Sequence, residues 1–223
     1  MMTEDSPSKD CHVPRCVQKV ETRDQRSQIL RFEHGPIGLS RYRSAEMQVS
    51  PDSHVEPLLD REKSSYWGHP FGVSTVAFCK GDADACLALL KTRFRPVLDA
   101  NLWLAGQFDP KKQLVFPKAA TDEMVEAMIT KEDHPAIRET TDYAGLVKSA
   151  GNISVQSGGK LQKTNGRVTR MVVVPISKEE CALVFSISHA VADGFTYWKI
   201  YNMFIGSAPV KGMTFKRRYF RRT

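Results

Sequence analysis

The chain has 223 residues, enough for one large domain or two small ones, and its 41% hydrophobic content is enough for a buried core. No apolar run approaches the ~18–20 residues of a membrane-spanning helix, and residues 1–10 are acidic and polar, without the apolar centre of a signal peptide. No membrane span is therefore expected, and the cytosol is the expected compartment.

The net charge of +7 suggests an anionic partner until it is located. Lys211, Lys216, Arg217, Arg218, Arg221 and Arg222 carry six of those charges in the last thirteen residues, which leaves +1 on all the rest. A basic tail at 211–223 reads first as a solvated end. Nucleic-acid binding through it is not expected, because no recognised motif or aromatic–basic interleaving accompanies it. The cysteines are Cys11, Cys16, Cys79, Cys86 and Cys181. Their number is odd and no pair has CxxC spacing, so free thiols are expected and no metal site.

In chain order, residues 1–27 are charged, lack periodic hydrophobicity and read as a disordered N-terminus. A lobe is expected over 28–210. Short strands are expected at 29–32 and 45–49, on either side of a turn at Gly35-Pro36. Ser50-Pro51-Asp52 and Glu56-Pro57 are expected to interrupt the chain. Residues 73–79, VSTVAFC, are β-branched, bounded by Gly72 and Gly81, and predict a strand.

Asp82 or Asp84 then offers a helix N-cap. Leu87, Leu90, Phe94, Val97 and Leu98 recur at helical spacing, and Pro96 is expected to kink or divide that helix. Asp109-Pro110 predicts a turn, residues 114–116 a strand, and residues 121–129 a strand or a short helix. The polar stretch 131–163, with Ser157-Gly158-Gly159, reads as a surface loop. Residues 168–176 and 181–188 predict a hairpin across Ser177-Lys178-Glu179-Glu180. In its second strand Leu183, Phe185 and Ile187 share one face and Val184, Ser186 and Ser188 the other. A helix is expected over 195–205.

The feature with most chemical content is His189-Ala190-Val191-Ala192-Asp193-Gly194. The histidine ends a hydrophobic strand and the glycine opens an amphipathic helix, a junction that can hold a ring rigidly. Imidazole titrates near pH ~6.5, so a neutral ring can accept the proton of an attacking hydroxyl or amine. Asp193 has two local roles open to it: accepting a backbone hydrogen bond in the turn, or pairing with an arginine. Gly194 permits backbone angles that a side chain would oppose. Against this stands the plain alternative that a histidine at a strand end is a packed turn residue and Asp-Gly a common turn dipeptide.

Residues 186–198, SISHAVADGFTYW, resemble the HxxxDG segment of the CoA-dependent acyltransferase superfamily. That group includes chloramphenicol acetyltransferase, the plant BAHD acyltransferases, wax-ester synthases and peptide-synthetase condensation domains. The strand at 73–79, the following helix and residues 101–108, NLWLAGQF, are similar in order to the first half of such proteins, and Leu104-Ala105-Gly106 resembles a weaker family segment. The resemblance spans roughly residues 66–205.

It implies an α/β (α+β) fold, a chloramphenicol acetyltransferase-like two-layer sandwich with helices packed on one face of a mixed sheet. It implies His189 as general base, Asp193 as a structural residue turned away and paired with an arginine, and Gly194 as the residue that keeps the substrate channel open. It also implies an acyl-CoA co-substrate, no bound cofactor, a small-molecule hydroxyl or amine acceptor, and direct transfer without a covalent enzyme intermediate.

The chain departs from the family at three points. Ser188 stands where condensation domains and chloramphenicol acetyltransferase carry a first histidine, a form closer to BAHD enzymes. The stretch near 105–108 lacks the arginine that condensation domains direct at the motif aspartate, which leaves Arg170 as the candidate substitute. The second-half DFGWG motif is absent. The resemblance therefore implies an N-terminal lobe that is either completed by a second lobe or, like trimeric chloramphenicol acetyltransferase, assembles as a homo-oligomer. The alternative function is a truncated, non-catalytic lobe acting as a binding or interaction module.

Overall fold

The computed structural model describes residues 52–216. The expected strands at 29–32 and 45–49 and the polar N-terminus lie outside the described residues. The chain forms β1 (Ser53–Pro57), a π-helical turn (Glu62–Tyr66), β2 (Val73–Lys80), α1 (Ala83–Ala100), a 3-10 turn (Leu102–Ala105), β3 (Gln107–Phe108) and β4 (Gln113–Pro117). It continues with α2 (Asp122–Met128), β5 (Ile129–Lys131), α3 (Tyr143–Ile153), α4 (Gly158–Thr164), β6 (Thr169–Pro175), β7 (Glu180–Ile187) and α5 (Gly194–Phe204).

The main sheet is mixed, in the order β2-β7-β6-β5, with β5 parallel to β6 and the other pairs antiparallel. The predicted hairpin is β6–β7, closed by the Ile176 and Ser177 N–H groups donating to the Glu180 carbonyl. Strand alternation divides β7 as its sequence predicts. Cys181, Leu183, Phe185 and Ile187 join the larger core beneath α1 and α5, and Ala182 and Val184 join a smaller one. With both faces covered, every residue of β7 after Glu180 is buried. This is the mixed α/β fold expected from the resemblance, but the helices are not confined to one face: α1 and α5 cover one face of the main sheet and α3 the other.

Helices α1 and α5 lie on one face of the sheet and meet edge-to-face through Phe94 and Phe204, ring centroids 5.8 Å apart. Asp82 caps α1 by accepting from the Asp84 and Ala85 N–H groups. The helix is not divided at Pro96 but runs through it. Pro96 and Thr92, whose carbonyl loses its partner, are both exposed, so water can satisfy that carbonyl.

Residues 131–163 are not a surface loop. They contain α3 and α4, capped by the Asp142 and Ser157 side chains. Ile137, Ala150 and Ile153 cover the second face of the sheet against Val172, Val174 and Val184. The few apolar residues of this stretch sit where that face must be shielded, which composition alone hides. Ser157-Gly158-Gly159 is a helix start, and Gly158 is small because Trp67 packs on it: an added Cβ would lie 2.6 Å from the indole.

Glu56-Pro57 ends a strand, as expected, but both residues are still paired within it. β1, β4 and β3 form a second, antiparallel sheet in the order β1-β4-β3. Pro57 ends an edge strand, where a missing N–H costs no ladder bond. Within residues 121–129, Asp122–Met128 form α2, capped by the Thr121 hydroxyl, and Ile129 begins β5. The described part of the basic tail, 211–216, is tied to the fold. Asn101 donates to the Lys211 carbonyl and accepts from the Met213 N–H, and the Phe215 ring packs edge-on against Phe116.

Candidate active site

The site forms where β7 ends. The Ser188 N–H donates to the Val168 carbonyl at 2.7 Å, and the Val168 N–H donates to the Gly106 carbonyl at 2.9 Å. Leu104-Ala105-Gly106 is thereby tied through the start of β6 to the residue before His189. Beyond Ser188 the chain turns back, with the Val191 and Ala192 N–H groups donating to the Ser188 carbonyl.

Inside this turn the Nδ1 atom of His189 lies 3.2 Å from the Ala192 carbonyl oxygen. A carbonyl only accepts, so the pairing places the proton on Nδ1 and leaves the Nε2 lone pair of the neutral ring open. That is the tautomer a general base needs. The ring is half-buried. One face is covered by Tyr66, stacked at 4.4 Å between centroids and 10° from parallel. His69 approaches at 5.0 Å and 56°.

Both neighbours come from the segment after β1. The π-helical turn there, a form often found at functional sites, is held by the Leu59 N–H on the Glu62 carboxylate. Trp67 anchors the segment, buried against Phe108 at 4.7 Å with the Lys112 ammonium over its ring. Tyr66, next to that anchor, is thereby set against the imidazole. The Arg61 guanidinium lies 5.4 Å from the Tyr66 ring centre. Sequence reading missed Tyr66 and His69; the signal was the aromatic-rich Tyr66-Trp67-Gly68-His69 between charged residues and Gly72.

Asp193 takes the first of its two local roles. Its carboxylate caps α5, accepting from the Thr196 N–H at 2.8 Å. Partial burial works against its charge, but the hydrogen bonds from Thr196 and the nearby His189 outweigh it and hold the carboxyl below its ordinary value. Arg170 is not its partner. Strand alternation places Arg170 beside Val172 and Val174 on the second face of the sheet, where it pairs with Glu132 at 2.5 Å. Among the described residues no arginine forms an ion pair with Asp193.

Gly194 is the first residue of α5, and its φ is not positive, so it is not required for backbone strain. A Cβ there would meet nothing within 4 Å. Behind the site Tyr197, fully buried on α5, donates to the Phe185 carbonyl at 3.0 Å and lies 2.6 Å from the Thr75 hydroxyl, bracing α5 against β7 and β2. Among the described residues no helix is long and apolar enough to cross a membrane.

The sequence matches no family model and no curated protein. Solved structures do resemble the fold. The EpoB NRPS cyclization-docking bidomain from Sorangium cellulosum is similar with a TM-score of 0.50 at 21% identity, over 73% of this chain and 33% of that one. The X-domain from teicoplanin biosynthesis gives a TM-score of 0.47 at 16% identity, over 66% and 31% of the two chains. A structure of condensation domain-mediated chain release from the enacyloxin polyketide synthase gives 0.42 at 14%, over 77% and 34%. The chain thus spans about a third of the length of these solved chains, and over that length it shares the fold of the matched part of the EpoB bidomain.

Proposed function

We propose that this chain is an acyl-transfer lobe in which His189 acts as general base. The reading rests on one observation: the Nδ1 contact with the Ala192 carbonyl leaves Nε2 as the proton-accepting atom of a ring held by Tyr66. A hydroxyl or amine acceptor on that nitrogen gives up its proton as it attacks a thioester carbonyl. The proton then passes to the departing thiolate, and no covalent enzyme intermediate forms. Asp193 caps α5 and so holds the turn that carries the base. Acyl-CoA is the donor expected from the sequence resemblance. The likeness to an NRPS bidomain favours a second donor, the same thioester carried on a protein-bound pantetheine arm. The opposing wall of the site would come from a second lobe or from another copy of the chain.

The test is release of free thiol from acyl-CoA and from an acylated carrier protein, each with amine and alcohol acceptors. Turnover with one donor, cut by ~10²–10⁴ in His189→Ala, is the expected result. An unchanged rate in that variant would remove His189 as base. Acyl-CoA binding by calorimetry without turnover on either donor would favour a non-catalytic binding module. The absence of an arginine ion pair on Asp193 among the described residues is the observation on that side.

A further inference from the structure

The other reactive cluster lies at the far end of the same strand. Cys181 precedes His189 by eight residues, roughly 25 Å of extended chain at ~3.3 Å per residue, so it plays no part in the proposed acyl transfer. Cys79 on β2 is directly opposite Cys181 on β7 in an antiparallel pair. Their side chains therefore share a face, the one covered by α1, and Cys86 in the first turns of α1 belongs to the same apolar cluster. The three thiols lie close enough to influence one another. Cys181 is fully buried, Cys79 and Cys86 are half-buried, and all three are free.

Opposed residues in antiparallel strands have Cα atoms ~4.5–5.5 Å apart, inside the ~4.4–6.8 Å range that a disulfide spans. The cluster is not arranged to hold a metal ion, so its chemistry is that of sulfur itself. We propose that Cys79, Cys86 and Cys181 form a peroxide-oxidisable thiol site, at which hydrogen peroxide joins Cys79 and Cys181 in a reversible cross-strand disulfide.

Cys79, half-buried, is the oxidant-accessible member of the opposed pair, and Cys181 is the buried one. Half-buried Cys79 meets the oxidant. Its sulfur attacks one peroxide oxygen; an S–O bond forms, the O–O bond breaks, and the hydroxide released leaves as water with the Cys79 thiol proton. The Cys181 sulfur attacks the Cys79 sulfenic sulfur; the S–S bond forms, the S–O bond breaks, and the second hydroxide leaves as water with the Cys181 thiol proton. The two sulfurs lose two electrons and peroxide gains them. Cys86 stays a thiol.

The experiment exposes the full chain to hydrogen peroxide, blocks free thiols with N-ethylmaleimide under denaturing conditions, and maps the non-reduced digest by mass spectrometry. The expected result is a linked peptide pair containing Cys79 and Cys181, alkylated Cys86, and a rise in Tm that dithiothreitol reverses. Cys86→Ser keeps the link and Cys79→Ser abolishes it. Because the wild-type map alone identifies the bond, the test survives a variant that fails to fold. Oxygen addition without a link, a link through Cys86, or links only between chains would each overturn the proposal.

Discussion

Tyr66 stacks on the imidazole of His189 with the two rings 4.4 Å apart and nearly parallel. The contact uses the π face of the imidazole, whereas the Nε2 lone pair lies in the ring plane. Stacking therefore steadies the ring without covering the atom proposed to take the proton. Two constraints act together: the Ala192 carbonyl sets the tautomer through Nδ1, and Tyr66 sets the tilt.

Tyr66→Leu removes the stacked ring and frees the imidazole to tilt. The expected loss of thiol-releasing turnover is about 10- to 100-fold, the scale of a small misplacement at a reacting centre. Tyr66→Phe keeps the stack and is expected to keep most of the rate. The His189 ring proton shifts, read by NMR, should move in the leucine variant and hold in the phenylalanine variant. Equal shifts in both would mean that the stack does not orient the ring.

Asp193 gives a pH prediction with a definite sign. Its carboxyl is held below its ordinary value in the folded chain, by the Thr196 hydrogen bonds against opposing partial burial. Such a group adds stability above its unfolded value, near ~3.9, and that stability is lost as pH falls through the folded value. Asp193→Asn keeps a good cap without the charge. The Tm gap between wild type and Asp193→Asn should narrow as pH drops from 6 toward 2, the approximate window around that carboxylate. A gap that widens on acidification would show that the carboxylate is not the stabilising form. Asp193→Ala, which loses the cap, is expected to cost about 1 kcal/mol at neutral pH.

Two glycines should behave oppositely. A Cβ at Gly158 would lie 2.6 Å from the Trp67 ring, which also anchors the segment carrying Tyr66. Gly158→Ala is expected to destabilise by about 1–3 kcal/mol through overpacking, read by urea unfolding. Gly194→Ala adds a methyl group to open space at a helix start with ordinary backbone angles, and should unfold within ~0.5 kcal/mol of wild type. A loss of turnover at unchanged stability in Gly194→Ala would place the acceptor's path beside α5.

Tyr197→Phe deletes the hydroxyl that joins Thr75 on β2 to the Phe185 carbonyl on β7. The expected cost is about 0.5–1.5 kcal/mol for a buried hydrogen bond, measured by denaturant unfolding. Little change in the His189 resonances is expected, because the Ala192 and Tyr66 contacts are separate from this brace. A large shift there would mean that the brace also sets the ring.

The sequence by itself determined what local pattern can specify. The β6–β7 hairpin followed from two β-rich runs and a polar turn, the cap on α1 from Asp82 or Asp84, and the strand–turn–helix around His189 from contiguous residues. Alternation along β7 likewise sorted its side chains between two cores. Tertiary structure alone decided the rest. Tyr66 and His69 reach His189 from more than a hundred residues upstream, and no periodicity encodes that contact. Arg170 was the nearest arginine on paper, yet its parity on β6 turns it to the other face, toward Glu132. Residues 131–163 are polar enough to read as loop, but the exposed face of the sheet draws their few apolar side chains into α3 and α4. Burial rewards a side chain for where the folded chain carries it, and that depends on every other element at once, so the motif set the local turn around His189 while the fold chose its neighbours.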